Sequence, residues 1–420
     1  MHALYARLNR PPYSSLGAIL LLMLPFILVA ALTQLNQPLD FDEGDYHIPV
    51  VHQFAETLPA PDLVHYESAT TPLMHLTLAA WSLLVGDEVW KLRLPVLLAG
   101  MLTVLVFYRL VQERGDARPL RTTLFLVAYP YAFWLSFLVM TEVFALLFGV
   151  LALRHFLRRN SARHDLVLFA VWSTLAVLSR QQWLILPVGA GLYWLWTDRG
   201  IKRAVWTALP VLAFLPFAIA WGGAAPPLDF ATSHDLALNP VQVPMVLIAA
   251  GFYFAGALPT APIPWRKLAL PVLLALPFFL VAPQLDSLPS SWMLLPEQHV
   301  FAGLLAQLGG LAERFALPVL VYLGYLALFV VGGLLVGQAW LRRRDDDTLA
   351  LWFVAIPGFL LLLTVAQAWE RYLLPLAALG ILIFYAPQRP QRRWLSPWLA
   401  VQLLLLASFT WYQLTTVGSP

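Results

Sequence analysis

The chain has 420 residues, of which 60% are hydrophobic and only 12% charged, with a net charge of +3. Soluble domains carry roughly 25% charged residues, so this composition excludes a soluble globule, and apolar runs of about 20 residues point to membrane-spanning helices rather than an alternating β-barrel. The absence of cysteine excludes disulfides and thiol-ligated metals.

Residues 16–34 form the first apolar run and lack a small-residue cleavage pattern, which reads as a retained signal anchor. Arg7 and Arg10 precede it and place the N-terminal side in the cytoplasm by the positive-inside rule. The next segment is therefore exoplasmic. Between Asn36 and His75 it holds seven carboxylates (Asp40, Asp42, Glu43, Asp45, Glu56, Asp62 and Glu67) and no Lys or Arg. Val50, Val51, Phe54 and Leu58 fall on one helical face and His52, Gln53 and Glu56 on the other. That pattern fits an interfacial amphipathic helix or an ordinary loop helix. Residues 72–86 are apolar, but about 15 residues reach only about 22 Å against a hydrocarbon core of roughly 30 Å. Counting them as a span would also carry Arg109, Arg114, Arg118 and Arg121 outside. They read as a juxtamembrane or re-entrant helix, and residues 36–93 as one long outer loop.

Beyond that loop, spans are predicted at 94–111, 122–136, 141–153, 166–179, 183–196, 204–221, 241–258, 268–281, 315–338, 349–368, 372–385 and 395–412. Polar outer loops fall at 222–240 and 282–312. The expectation is an all-α polytopic protein: one membrane domain over residues 1–420, with about 13 spans and every multi-residue basic cluster cytoplasmic. Lys91 and Arg93 are the exception, a basic pair on the outer side just before the second span.

Few ionisable residues remain on the outer side outside the loops. Glu142, Arg180 and the pair Glu370 and Arg371 sit at or just inside the outer ends of spans. A charge at bilayer depth costs on the order of 3 kcal/mol, so such residues are read as facing a functional cavity. They converge on the face that carries the acidic loop. A carboxylate pair beside a membrane, with arginines on the same side, suits glycosyl transfer from a lipid phosphate. One carboxylate takes the proton of an acceptor hydroxyl, and arginines receive the leaving phosphate. A glycosidase would need a second carboxyl to protonate its leaving oxygen. The plainer readings are a solvated acidic loop for Asp42 and Glu43 and a structural partner of a buried arginine for Glu142. Arg180 has the alternative of a snorkelling anchor, His234 of an ordinary loop histidine, and Glu370–Arg371 of an ion pair. His47, His52, His65 and His75 lack metal-ligand spacing. No metal cofactor is expected, and Mg²⁺ or Mn²⁺ is the one cation class the carboxylates leave open.

Four stretches carry a family likeness. They are Phe41-Asp42-Glu43-Gly44-Asp45-Tyr46-His47-Ile48-Pro49 with Ala69-Thr70-Thr71-Pro72; Tyr129-Pro130 leading to Met140-Thr141-Glu142; Ser179-Arg180-Gln181-Gln182; and Ser233-His234. A weaker fifth is Glu370-Arg371-Tyr372-Leu373-Leu374-Pro375. In this order, over most of the chain, they resemble membrane glycosyltransferases of the GT-C superfamily. The narrower resemblance is to the dolichyl-phosphate-glucose α-1,2-glucosyltransferase of the N-glycan precursor pathway. It implies a GT-C-like bundle with juxtamembrane helices in its first outer loop. It also implies that Asp42 or Glu43 is the base or positions it, with Glu142 standing where the family has Asp. Arg180, His234 and Arg371 would line the donor-phosphate site, and Asp45, Tyr46, His47, Gln181 and Tyr372 would contact substrate. In that family the acidic pair lies one residue closer to the histidine than Asp42 and Glu43 lie to His47.

The function expected is inverting transfer of a hexose, glucose by resemblance, from a polyprenyl-phosphate sugar to a glycan or lipid-linked acceptor at the exoplasmic face. The Asp-Glu-x-x-Tyr spacing equally suits a mannosyl- or aminoarabinose-type transferase acting on protein or lipid A. A transporter or lipid flippase is the alternative of another class, although no two halves share a hydropathy pattern. No basic nucleic-acid face or glycine-rich phosphate loop is present. Arg, Leu and Ala usage leans toward a bacterial inner membrane rather than the endoplasmic reticulum.

Overall fold

The computed structural model describes residues 13–158, 163–197, 200–227, 242–257, 273, 301–302, 304, 318–341, 346–364, 368–385 and 395–416. Helices dominate it, as the apolar runs require. The first apolar run is helix α1 (Tyr13–Thr33), followed by a π-helical turn (Glu43–His47) that runs straight into α2 (Ile48–Thr57). Val50, Val51 and Phe54 of α2 are buried, as its apolar face predicts. Helix α3 (Leu73–Val85) stops at Gly86, whose φ of 101° a side chain disfavours; a Cβ there would also strike Glu88 and Lys91. The tight reversal at Gly86 launches α4 (Val89–Glu113).

Helix α4 starts five residues before the predicted span, so Lys91 and Arg93 lie within its first turns rather than outside it. The predicted span 122–136 is not one helix. Helix α5 (Pro119–Val127) ends where Tyr129 turns extended ahead of Pro130, and two short turns, Pro130–Trp134 and Leu135–Phe137, complete the segment. Proline crowds the residue before it out of the helical region, which explains the break. Helices α6 (Thr141–Phe156), α7 (Arg163–Ser179), α8 (Ile185–Trp196), α9 (Ala208–Trp221) and α10 (Gln242–Phe254) follow. The chain closes with α11 (Pro318–Leu341), α12 (Asp346–Leu362), α13 (Leu374–Phe384) and α14 (Leu395–Thr416). Helices α10 and α11 approach so closely at Gly251 and Gly332 that a Cβ on either would overlap the other helix's backbone. Small residues at such crossings are how membrane helices gain packing contact.

Among the described residues, four helical stretches are long and apolar enough to cross a membrane: Leu16–Thr33, Val89–Glu113, Ile201–Trp221 and Leu323–Leu341. The span predicted at 395–412 is the 22-residue helix α14, others appear as shorter helices, and 268–281 falls almost wholly outside the described residues. Residues 72–86 form the short helix expected.

Polar contacts sort the helix ends into two poles. Arg93, near the start of α4, meets Glu43, while Glu113 at its end pairs with Arg154 at the end of α6. Glu142 at the start of α6 meets Arg180, just past the end of α7, whose first turn supplies Asp165 to His155 and Arg158. Tyr193 near the end of α8 donates to Asp346 at the start of α12. One pole is thus rimmed by Glu113, Arg154, Arg158 and Asp165. The other gathers the acidic loop, Glu142, Arg180 and the segment around Arg371.

Candidate active site

Four side chains from four places in the chain form an alternating acid–base chain. Asp42 forms an ion pair with Arg371. Arg371 Nε lies 4.0 Å from Glu142 Oε1, and that same oxygen is 3.0 Å from Arg180. Both arginines lie over the ring of Tyr372, their guanidinium carbons 5.6 Å (Arg180) and 5.5 Å (Arg371) from its centre. Such cation–π placement fixes both cations against one surface. Thr141 Oγ1 accepts from Arg180 at 2.8 Å, a second tether on that guanidinium. Glu142 is buried, whereas Asp42 keeps about a fifth of its side chain exposed.

The local sequence explains how each group arrives. Arg180 and Glu142 take their positions from helix ends, where a bonded helix gives way to extended backbone at Arg180 and at Met140. Arg371 rides on a 3-10 turn (Glu370–Leu373) that enters α13 at a proline. Just before this turn, residues Ala368–Trp369 pair in parallel with Phe301–Ala302. Glu370 itself turns into the protein: its Oε2 accepts from Leu304 N at 3.0 Å and Tyr253 Oη at 3.3 Å, and its carbonyl accepts from Tyr129 Oη at 2.9 Å.

Glu43, next door to Asp42, is fully enclosed. Its Oε1 accepts from Arg93 Nε at 2.8 Å and from Val139 N at 2.8 Å, and its Oε2 accepts from Arg93 at 2.5 Å. Arg93 also donates to the carbonyls of Leu35 and Gln37, tying the acidic loop to α4. Sequence reasoning passed over Arg93. Its signal was its own exceptional status, a cation on the outer side facing a loop of carboxylates. Asp40 was passed over too: its Oδ1 accepts from Asp42 N at 3.2 Å, capping the helix start. Burial, with Asp42 nearby, holds the Asp40 carboxyl above its ordinary range.

The remaining predicted residues divide. His47 is buried in the π turn, within the field of Glu142, Asp42, Arg180 and Arg371, and burial pushes it down to about 4. Gln181 donates to the carbonyls of Ala69 at 2.7 Å and Ala224 at 3.0 Å, clamping the outer segments together. Tyr46 packs edge-on against Phe41, and Asp45 is exposed at the surface. His234 lies outside the described residues. Among the described residues, no group of three or more His, Asp or Glu gathers in a way that could hold a metal ion.

Residues 69–221 match the family described as dolichyl-phosphate-mannose-protein mannosyltransferase. The crystal structure of ArnT from Cupriavidus metallidurans bound to undecaprenyl phosphate aligns over 93% of this chain at 18% identity, with a TM-score of 0.52. The chain shares the ArnT fold. The apo crystal structure of the same protein aligns at 18% identity with a TM-score of 0.49. The alignments cover 64% and 62% of the ArnT chain, so this chain spans less than two thirds of ArnT's length. No curated protein sequence is significantly similar to this one. Neither match is to the glucosyltransferase family that the motifs resemble.

Proposed function

We propose that this protein is an inverting membrane glycosyltransferase that takes a sugar from a polyprenyl-phosphate donor, with Asp42 as the base. The observation that carries this reading is the Asp42–Arg371–Glu142–Arg180 chain around Tyr372. Two cations held side by side suit a lipid phosphate, because guanidinium forks match its oxygens and stay charged throughout. A partly exposed carboxylate next to them suits an acceptor hydroxyl.

In the reaction, Asp42 takes the hydroxyl proton while the acceptor oxygen bonds to the anomeric carbon. The bond from that carbon to the phosphate oxygen breaks, and the phosphate leaves with the electron pair, gaining negative charge that Arg180 and Arg371 receive. The Asp42–Arg371 pair adds a consequence. An incoming phosphate competes with Asp42 for Arg371, so donor binding frees the base. Glu142 holds the two guanidiniums in register, and Glu43 is a positioning residue whose lone pairs are already committed to Arg93, Val139 and the Asp40 N–H.

The π turn supports Asp42 over Glu43 as base. Its hydrogen bonds run five residues apart rather than four, so Asp42 and His47 share a face despite the extra residue between them. The acceptor side is an extracytoplasmic glycan or lipid. For the sugar, the mannosyltransferase match and the ArnT fold favour a mannosyl- or aminoarabinose-type donor as much as the motifs favour glucose. A panel of polyprenyl-phosphate glucose, mannose and aminoarabinose, offered to purified protein without a membrane potential, separates these and also tests the transporter alternative. Wild-type protein, supplied with a hydroxyl-bearing glycan or lipid acceptor, is expected to transfer the sugar to it and release polyprenyl phosphate from one of them. Asp42→Asn is expected to lose about 10²–10⁴-fold in turnover while Glu142 and both arginines stay in place. Full activity in Asp42→Asn would end the assignment of the base.

A further inference from the structure

His75 enters neither the motifs nor the acid–base chain, yet it is fully buried, with its Nε2 3.0 Å from Nδ1 of His47. Its ring lies among Tyr66 and Phe54, with centroids 6.2 and 6.3 Å away. Its Nδ1 is enclosed and has no hydrogen-bond partner among the described residues. The Tyr66 hydroxyl is committed to the carbonyl of Thr70 at 2.5 Å. Burial holds His75 well below the ordinary histidine range, with His47 adding to the effect, so both rings are neutral and share one proton across the 3.0 Å contact.

Two arrangements are open to that proton. If His47 donates, His75 must carry its hydrogen on Nδ1, leaving an enclosed N–H with no acceptor. If His75 donates through Nε2–H, its Nδ1 is a bare lone pair among aromatic rings, the smaller cost, since enclosed N–H groups without acceptors are the rarer defect. The same choice decides what His47 shows the site. In the first arrangement its Nε2 is a bare lone pair; in the second it is an N–H donor, within the field of the site's charged groups in either case. His47 Nε2 has no partner among the described residues.

We propose that His75 locks the His47 tautomer, so that His47 presents a neutral N–H donor to the anionic part of the substrate. This rests on the transferase reading above and deepens it. The four charged residues of the site sum to zero, two carboxylates against two guanidiniums. A phosphodiester donor brings one negative charge, and its phosphate gains another on leaving. A neutral donor within the field of Arg180 and Arg371 adds stabilisation without adding a cation that would draw Asp42 or Glu142 away. Which ring nitrogen carries the proton is set by the hydrogen bond made by the other, so His75 is a positioning residue acting through His47.

The test combines nitrogen NMR with kinetics on full-length protein in nanodiscs. In ¹⁵N-histidine-labelled protein, His47, assigned by its loss in His47→Asn, is expected to carry its proton on Nε2, and adding undecaprenyl phosphate is expected to shift that signal. His75→Gln keeps a donor near the Nε2 position and should retain both the tautomer and most of the turnover. His75→Phe fills the same aromatic surroundings and removes the enclosed nitrogen. It should fold as well as the parent, yet kcat should fall about 10–100-fold with KM changed far less. A proton on His47 Nδ1 in the parent protein, or unaltered kcat in a folded His75→Phe protein, would overturn the proposal. If the parent transfers no sugar from any donor, the transferase reading fails on its own, and the NMR arm still reports the tautomer.

Discussion

Asp42 and Glu43 are adjacent carboxylates, each bound to an arginine, and their surroundings differ in nearly every respect. Glu43 and Arg93 are both fully buried, and four donors, two from Arg93 and the backbone N–H groups of Val139 and Asp40, occupy the carboxylate. Asp42 and Arg371 keep partial exposure, and Arg371 belongs to a second acid–base contact through Glu142. A saturated carboxylate has no lone pair left for a substrate proton. An unsaturated one beside a shared cation does. Two neighbours in sequence are thereby separated into a brace and a reactive group.

The sharpest break of this comparison is Arg93→Met. Removing one partner of a buried pair strands the other's charge and costs about 3–5 kcal/mol. The variant is expected to accumulate poorly and to melt well below the parent in detergent. Arg93→Met combined with Glu43→Met removes both charges and should recover most of that stability, since an apolar replacement of a buried pair is often close to neutral. A destabilised double variant, no better than the single, would mean that the bonds of Arg93 to the Leu35 and Gln37 carbonyls and of Glu43 to Val139 brace the loop more than the ion pair does.

Much of this division was legible in the sequence and part of it was not. The low charge and apolar runs gave the helical membrane class, and sidedness placed Asp42, Glu142, Arg180 and Arg371 on one face; the structure brings them together. What a linear pattern could not carry was lone-pair accounting. Asp42 and Glu43 are both acidic and loop-borne, and only their hydrogen bonds tell them apart. Two boundaries were not legible: Pro130 breaks the helix expected over 122–136, and α4 starts early enough to hold Arg93 inside it. His75 was invisible for another reason. Its partner lies 28 residues away, and a lone histidine on an apolar helix carries no pattern of its own.

Acid gives the next largest effect and sharpens the comparison on its reactive side. His47 falls from the ordinary histidine value of 6.5 to about 4 on folding, because burial disfavours its charged form. Between these values the unfolded chain binds a proton that the folded protein does not, so stability is full above about pH 6.5 and is lost as pH falls toward 4. His75 acts in the same direction. Thermal melts from pH 7.5 to 4.5 should show Tm falling below about pH 6.5, with a shallower slope in His47→Asn. Asp40, whose carboxyl is raised, works against this slope, so the difference between parent and variant is the quantity to read.

The smallest expected effect lies at the opposite pole, where an arginine and a glutamate again meet but on different terms. Glu113 bonds Arg154 through both Nε and NH2, and Arg158 comes within 3.7 Å of it, yet its side chain is 38% exposed and Arg154's 27%. Both ions keep part of their hydration, so little desolvation was suffered in folding and little attraction is left to lose. Glu113→Gln should therefore cost about 0–1 kcal/mol and leave transfer activity unchanged, because no group of the Asp42–Arg180 cluster touches it. A loss comparable to that of Arg93→Met would mean that burial does not rank these pairs. A loss of activity without loss of stability would mean that the two poles are coupled through α4 and α6, the helices that begin beside Glu43 and Glu142 and end at Glu113 and Arg154.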